Sequence, residues 1–120
     1  MALCPLDQLK DLVREGAWAY ASEHCKRKVR EYGIEDEDVI RMVIALSPAP
    51  TSQGGNFRKE WPDAQTDFGI LPADDYLIRY DEQEHRLCGP QQGLLFYVKL
   101  ALLSDDQGSL CVVVRVHPSS

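Results

Sequence analysis

Apolar residues recur at every second position in two runs near the end of the chain, and a turn separates the runs. The first run is Leu94, Phe96, Val98, Leu100 and Leu102, and the second is Leu110, Val112, Val114 and Val116. A period of two is that of a β-strand with one buried face. Asp105-Asp-Gln-Gly108 has turn composition with a late glycine. Residues 94–117 are therefore predicted to form an antiparallel β-hairpin.

The residues between the apolar positions define the other face of this hairpin. Burial sets the register of such strands, so the two apolar faces are expected to coincide. In that register Leu110, Val112, Val114 and Val116 lie with the first apolar run. Four residues that can handle protons or phosphate then share the other face: Tyr97, Lys99, Arg115 and His117.

Three helices are predicted before the hairpin. Leucines at helical spacing indicate a helix from Leu6 that stops at Gly16. Ser22 is a good N-cap for a second helix that ends at Gly33. Acidic residues 35–38 suit the start of a third helix, which Ser47-Pro48 ends.

The middle of the chain carries weaker signals. Residues 18–20 are expected to be a short extended piece or a turn, residues 49–55 a loop, and residues 75–80 a short strand. Residues 56–73 are predicted to be irregular, with Trp61 and Phe68 anchored in the core. Residues 81–93, which include Gly89-Pro90, are predicted to be a loop. The predicted fold class is α+β, one domain over residues 1–120, with N-terminal helices packed on one face of a small antiparallel sheet.

Composition limits where the protein is expected to reside and which cofactors it is expected to bind. The 120-residue chain carries a formal charge of −6, and no apolar run approaches the roughly 18–20 residues that span a bilayer. No signal peptide is visible, so a cytoplasmic protein without membrane contact is expected. The four cysteines form no CxxC pair, which favours free thiols and no metal; zinc held by distant cysteines stays an open alternative.

The polar hairpin face has the residue types of a metal-independent ribonuclease. Such an enzyme needs a base, an acid and cations that stabilise a charged phosphorane. The alternative is that these four residues merely face water, as on many half-exposed hairpins. His24 likewise has Arg27 and Lys28 one turn along its helix, either as a phosphate site or as a solvated face.

Several short motifs resemble the MqsR-type toxins of toxin–antitoxin pairs, in the same order along the chain. They are Leu6-Asp-Gln-Leu-Lys-Asp-Leu-Val-Arg-Glu-Gly16, Val43-Ile-Ala-Leu-Ser-Pro48, Phe57-Arg-Lys59 and Phe96-Tyr-Val-Lys-Leu100. The stretch from Ser22-Glu-His24 to Asp38-Val39 also resembles a related small family of unassigned function. Both families are thought to share the RelE/barnase-like architecture. The family's Trp-Gln-Asp-Val-Tyr stretch has only a loose counterpart here, in Trp61 to Phe68.

The resemblance implies a RelE-like fold and cleavage of mRNA without metal or small-molecule cofactor, neutralised by a cognate antitoxin protein. Lys59 and Tyr97 match residues implicated in catalysis in that family, and the hairpin adds His117 as a third candidate. The candidate RNA-binding residues are Arg58, Lys99, Arg115, Gln65 and His24. The alternative is a non-catalytic interaction module that binds a protein partner through an acidic loop at residues 63–84.

Overall fold

The structure is a computed structural model that describes residues 2–89 and 91–119. The three predicted helices are confirmed as α1 (Leu6–Arg14), α2 (Glu23–Glu31) and α3 (Asp36–Ala45). Ser22 caps α2, because its Oγ accepts a hydrogen bond of 3.0 Å from the Cys25 N–H. Gly16 and Gly33 follow the first two helices with φ of +78° and +77°, a conformation that favours glycine.

Six strands form one mixed sheet. They are β1 (Trp18–Tyr20), β2 (Phe57–Thr66), β3 (Gly69–Asp81), β4 (Arg86–Leu87), β5 (Leu94–Asp105) and β6 (Gly108–Pro118). The order across the sheet is β1-β6-β5-β3-β2, with β4 paired to the end of β3. The fold is α+β as predicted, but the expectation of a purely antiparallel sheet is wrong, because β1 pairs with β6 in parallel.

The helices cover one face of the sheet. Leu9, Ile34 and Met42 are fully buried there against Phe96 and Leu100. Burying side chains of this size contributes about 1.5–3 kcal/mol each. Cys25 and Cys111 lie in this core, and the four cysteines form no disulfide. Among the described residues, no helix has the length and apolar content needed to cross a membrane.

The prediction that residues 56–73 are irregular is wrong, because this segment forms β2 and the start of β3, which pair along their length. Trp61 and Phe68 are not core anchors either, since 38% and 42% of their surfaces are exposed. The alternation rule failed here because β2 is an edge strand with Pro62, charged residues and two register shifts. The predicted loop at 81–93 also contains β4, and Pro90 lies outside the described residues.

The C-terminal hairpin is confirmed, but one of its strands changes phase. Lys99 pairs with Arg115 whereas Leu100 pairs with Val113, so Val114 is an extra residue that forms a β-bulge. Val116, Val113 and Cys111 therefore all face the helices. Leu110, Val112 and Val114 lie with the opposite face, which corrects the prediction that they share the face of Val116.

The end of the β2–β3 hairpin bends over the open face of the sheet. A second register shift, between Trp61 and Ala64, marks the bend, and the Asp67 N–H then donates to the Ala21 carbonyl oxygen at 2.8 Å. Ala64 is buried there with Ala73, Ala101 and Val112 in a second small apolar cluster. The bent hairpin therefore closes one end of the open face into a cleft.

Candidate nucleic-acid interface

A bulge at the start of β2 presents two consecutive cations to the open face. Phe57 pairs with Tyr76 and Lys59 pairs with Asp75, so Arg58 is the extra residue. Phe57 points to the core, where its ring lies 5.8 Å from that of Tyr76. The other two contact open-face residues: Arg58 reaches Tyr97 and Lys59 reaches Trp61.

Two aromatic rings on this face each hold two cations. The Cζ atoms of Arg58 and Arg115 lie 5.0 Å and 5.4 Å from the centroid of the Tyr97 ring. The Nζ atoms of Lys59 and Lys99 lie 4.8 Å and 3.6 Å from the centroid of the Trp61 ring. The ring quadrupole attracts each cation, which keeps four like charges close together. We call these six residues the basic–aromatic cluster: Arg58, Lys59, Trp61, Tyr97, Lys99 and Arg115.

The carboxylate of Asp75 contacts the cluster. Oδ2 of Asp75 accepts a hydrogen bond from Arg58 at 2.9 Å, and the Asp75 side chain is buried. Its Oδ1 has no hydrogen-bond partner among the described residues. Within that part of the chain Lys59, Lys99 and Arg115 form no ion pair. The cluster therefore keeps an excess of positive charge on a protein that is acidic as a whole.

Lys99 is the most unusual cation of the cluster, because it is only 5% exposed. Burial lowers the pKa of its ammonium group, and the positive charges of Arg115, Lys59 and Arg58 lower it further, while Asp75 opposes them. In the described part of the chain no carboxylate oxygen lies within ion-pair distance of this ammonium group, which makes its burial costly for the fold. An anionic ligand would supply the missing partner.

His117 lies next to the cluster, because it pairs with Tyr97 across β5 and β6. Its Nδ1 lies against the carbonyl oxygen of Pro118, which can only accept a hydrogen bond, so Nδ1 carries the proton. In the neutral imidazole the lone pair is then on Nε2. This nitrogen can take a proton from a bound ligand.

The remaining two candidates, His24 and Gln65, lie in a neighbouring groove rather than in the cluster. The groove has a volume of about 440 Å³, and Arg115 and His117 also line it. The eight predicted site residues therefore divide into two adjoining sets. Arg58, Lys59, Tyr97, Lys99 and Arg115 belong to the cluster, His24, Gln65 and His117 to the groove, and Arg115 lines both.

The sequence interpretation missed Trp61, Asp75 and Tyr32 as members of this region, and it left Lys28, one turn from His24, open between a phosphate site and a solvated face. Trp61 was assigned to the core, although it stands two positions after Lys59 and so has the strand period of a residue on the same face. Asp75 joins the site through pairing with Lys59 and Lys99. Lys28 lines the groove from α2, and Tyr32 lines it from the C-cap of that helix. No local pattern marks Asp75 or Tyr32 as site residues.

A second polar cluster lies on the helix side of the sheet, around the buried carboxylate of Asp38. This carboxylate accepts hydrogen bonds from the Tyr80 hydroxyl, the Glu35 N–H at 2.8 Å and Nδ1 of His85 at 2.9 Å. Arg41 adds an ion pair at 3.3 Å. We call these groups the Asp38 network.

The pKa shifts in the Asp38 network follow its hydrogen bonds. Burial opposes ionisation of Asp38, but the bonds from Tyr80, Glu35 and His85 outweigh it and lower the pKa of the carboxyl. Burial and the bond to Asp38 raise the pKa of Tyr80 to about 12. The bond to Asp38 also raises the pKa of His85.

The Asp38 network is also where a metal ion could be sought. Ligand atoms of Glu35, Asp38 and His85 lie within 4.8 Å of one another. However, both oxygens of Asp38 already accept hydrogen bonds, and Arg41 places a positive charge beside them. The N-terminus of α3 adds further positive potential. These groups favour a structural cap over a metal site.

The two clusters differ in the chemistry that they can support. The basic–aromatic cluster offers three exposed cations, the buried ammonium group of Lys99, a phenol and a neighbouring imidazole on one face of the sheet, a set that can bind phosphate and move protons. The Asp38 network ties α3 to the β3–β4 turn and leaves few groups free. The candidate interface is therefore the open face of the sheet. No family model matches the chain, and no curated protein and no solved structure was found to be similar to it.

Proposed function

We propose that the protein is a metal-independent endoribonuclease of the MqsR toxin type, on a RelE-like architecture, that acts on mRNA in the cytoplasm and is neutralised by a cognate antitoxin protein. The observation that carries the proposal is the convergence of Arg58, Lys59, Lys99 and Arg115 around Tyr97 and Trp61 on one open face. Phosphate recognition by clustered cations and aromatic rings is typical of RNA-binding surfaces.

The proposed reaction is an internal transfer at one phosphodiester. Nε2 of His117 takes the proton from the 2′-hydroxyl, whose oxygen attacks the phosphorus. Lys59, Lys99 and Arg115 stabilise the negative charge of the phosphorane. The bond from phosphorus to the 5′-oxygen breaks, and the Tyr97 hydroxyl gives that oxygen its proton. The products are a 2′,3′-cyclic phosphate and a 5′-hydroxyl.

Cleavage of a purified mRNA in the presence of EDTA tests this reaction. Tyr97→Phe should slow cleavage by about 10²- to 10⁴-fold, the usual contribution of a positioned acid or base. Lys59→Ala should slow it as well, whereas Lys26→Ala, an exposed lysine on α2, should not. Intact RNA at every protein concentration, or full activity in Tyr97→Phe, would contradict the proposal.

Toxicity is a separate readout of the same proposal. Induction of the protein in bacteria should arrest growth, and Tyr97→Phe or Lys59→Ala should relieve the arrest. Coexpression of the product of a neighbouring gene, if it is the antitoxin, should restore growth to cells that carry the unmodified protein. Harmless expression with intact cellular RNA would count against the toxin assignment.

The interaction-module alternative depends on surface acidity at residues 63–84. This segment is not a loop, since most of it lies in β2 and β3. Asp74 and Asp75 are buried, and Asp74 accepts hydrogen bonds of 2.8 Å from the Leu3 and Cys4 N–H groups. Two of its carboxylates therefore do not face a partner. A salt-sensitive protein complex without RNA cleavage would favour this alternative over the nuclease.

A further inference from the structure

The groove beside the basic–aromatic cluster has two walls of different origin. Helix α2 contributes His24 and Lys28 on one side, and the C-cap residue of this helix, Tyr32, lies on the same side. The bent end of β2 contributes Gln65 on the other side, and β6 contributes Arg115 and His117. The bulge at Val114 lies within the same surface, so the bend of the β2–β3 hairpin and the phase shift of β6 both shape the groove.

The chemistry of the groove suits a flat ring with polar edges. Its volume of about 440 Å³ lies within the range of roughly 300–1,000 Å³ that is typical of small-molecule sites. The rings of Tyr32 and His117 meet edge to face, with centroids 5.2 Å apart, and form an aromatic wall. Cys25, Val114 and Val116 supply apolar surface, while His24 and Gln65 supply hydrogen-bonding groups.

Arg115 connects the groove with the cluster. Its guanidinium lies over the Tyr97 ring, and the same residue lines the groove. A phosphate bound at Arg115 would therefore have the cluster on one side and the groove on the other. Adjacent nucleotides of one strand have this arrangement, with a phosphate between two bases.

We propose that the groove is a nucleobase subsite for the nucleotide next to the phosphate that is cut. The proposal rests on the proposed ribonuclease function and gives it a substrate class: single-stranded RNA, because a base held in a duplex cannot enter a groove of this kind. Tyr32 and His117 form the wall against which the base packs, and His24 and Gln65 contact its edge. Lys28 and Arg115 neutralise the flanking phosphates.

The three histidines of the chain allow a direct test by NMR. His24 and His117 line the groove, whereas His85 belongs to the Asp38 network on the helix side of the sheet. The probes are the four ribonucleoside 3′-monophosphates and, separately, inorganic phosphate. At least one nucleotide should shift the imidazole signals of His24 and His117 but not those of His85, and inorganic phosphate should leave His24 unmoved.

A binding experiment with variants gives an independent measurement. The probes are 2′-O-methyl dinucleotides, which cannot be cleaved because the attacking hydroxyl is blocked. His24→Ala should weaken the binding of at least one of them about fivefold or more, as expected when a base loses part of its contact surface. Arg27→Ala, which removes an exposed cation of α2 that does not line the groove, should leave binding unchanged.

The outcomes separate this inference from the proposed function. If Lys99→Met loses RNA cleavage while no nucleotide moves His24 and His24→Ala binds normally, the nuclease stands and the subsite is overturned. If phosphate alone shifts His24 as strongly as the nucleotides do, the groove binds an anion and the nucleobase assignment is wrong. Both proposals fail if the unmodified protein leaves RNA intact and if Lys99→Met and His24→Ala both leave the dinucleotide affinity unchanged.

Discussion

The Asp38 network and the basic–aromatic cluster are both built from charged and aromatic side chains around a buried carboxylate, yet their polar groups are satisfied to different degrees. Asp38 accepts hydrogen bonds on both oxygens and has Arg41 beside it. Asp75 has one unpartnered oxygen among the described residues. The nearby Lys99 lies over an aromatic ring rather than against a carboxylate.

This difference indicates separate roles for the two regions. Buried polar groups in folded proteins are normally hydrogen-bonded, and the exceptions need an explanation. A satisfied network stabilises one conformation. A cluster with unpartnered charge weakens the fold and gains from an added anion, which is typical of binding sites. Stability and RNA affinity should therefore respond in opposite ways to mutation in the two regions.

The largest expected effect is on the Asp38 network. Asp38→Ala removes the acceptor of four groups and should lower the free energy of unfolding by about 1–3 kcal/mol, the cost of leaving a buried donor such as the Tyr80 hydroxyl unsatisfied. Urea denaturation measures this loss. Glu37→Gln, an exposed neighbour on α3, is the control and should change little. If Asp38→Ala lost as little free energy of unfolding as the control, the proposed difference between the two regions would be contradicted.

The second prediction concerns Lys99, where a substitution should spare stability and weaken RNA binding. Lys99→Met keeps an unbranched chain but removes the buried charge, so the free energy of unfolding should stay the same or rise, while RNA affinity falls tenfold or more. Denaturation and RNA titration on the same sample measure both. Arg86→Met removes an exposed cation of β4 and should alter neither quantity. A destabilised Lys99→Met with normal RNA binding would assign Lys99 a structural role.

The third effect is the pH dependence of that stability difference. Burial lowers the pKa of Lys99 in the folded protein, whereas in the unfolded chain the pKa of a lysine is about 10.4. Between these two values the unfolded chain binds the extra proton, so the stability of the parent protein rises with pH from this group. Any excess in the free energy of unfolding of Lys99→Met over the parent protein should therefore shrink as pH rises through this window. Urea midpoints of both proteins at several pH values test it, and a constant difference would contradict it.

The smallest effect concerns His85. Its hydrogen bond to Asp38 raises its pKa in the folded state, so its stabilising contribution is complete below the unfolded value of about 6.5 and is lost as pH rises through the higher folded value. His85→Gln should therefore reduce stability more at pH 5.5 than at pH 8.5. The comparison uses urea midpoints of both proteins at each pH. An equal deficit at the two pH values would show that the charge of His85 does not matter.

Local patterns were sufficient for the elements whose signals lie within a few residues. The three helices begin and end near their predicted caps, because a cap such as Ser22 and a left-handed glycine such as Gly33 act within one turn. The β5–β6 hairpin followed from a period of two and a short turn. It placed Tyr97, Lys99, Arg115 and His117 on one face, and the pairing of Tyr97 with His117 and of Lys99 with Arg115 confirms this.

The tertiary structure decided the rest, because bulges and edge pairing depend on partners far along the chain. The extra residue at Val114 reverses the faces of β6 near the turn, and no run of β6 alone reveals it. The bend after Trp61 carries Gln65 across the sheet to α2. Asp38 and His85 meet although 47 positions separate them. The sequence by itself thus determined the helices and the charged face of the hairpin, whereas non-local strand pairing decided which further residues surround that face.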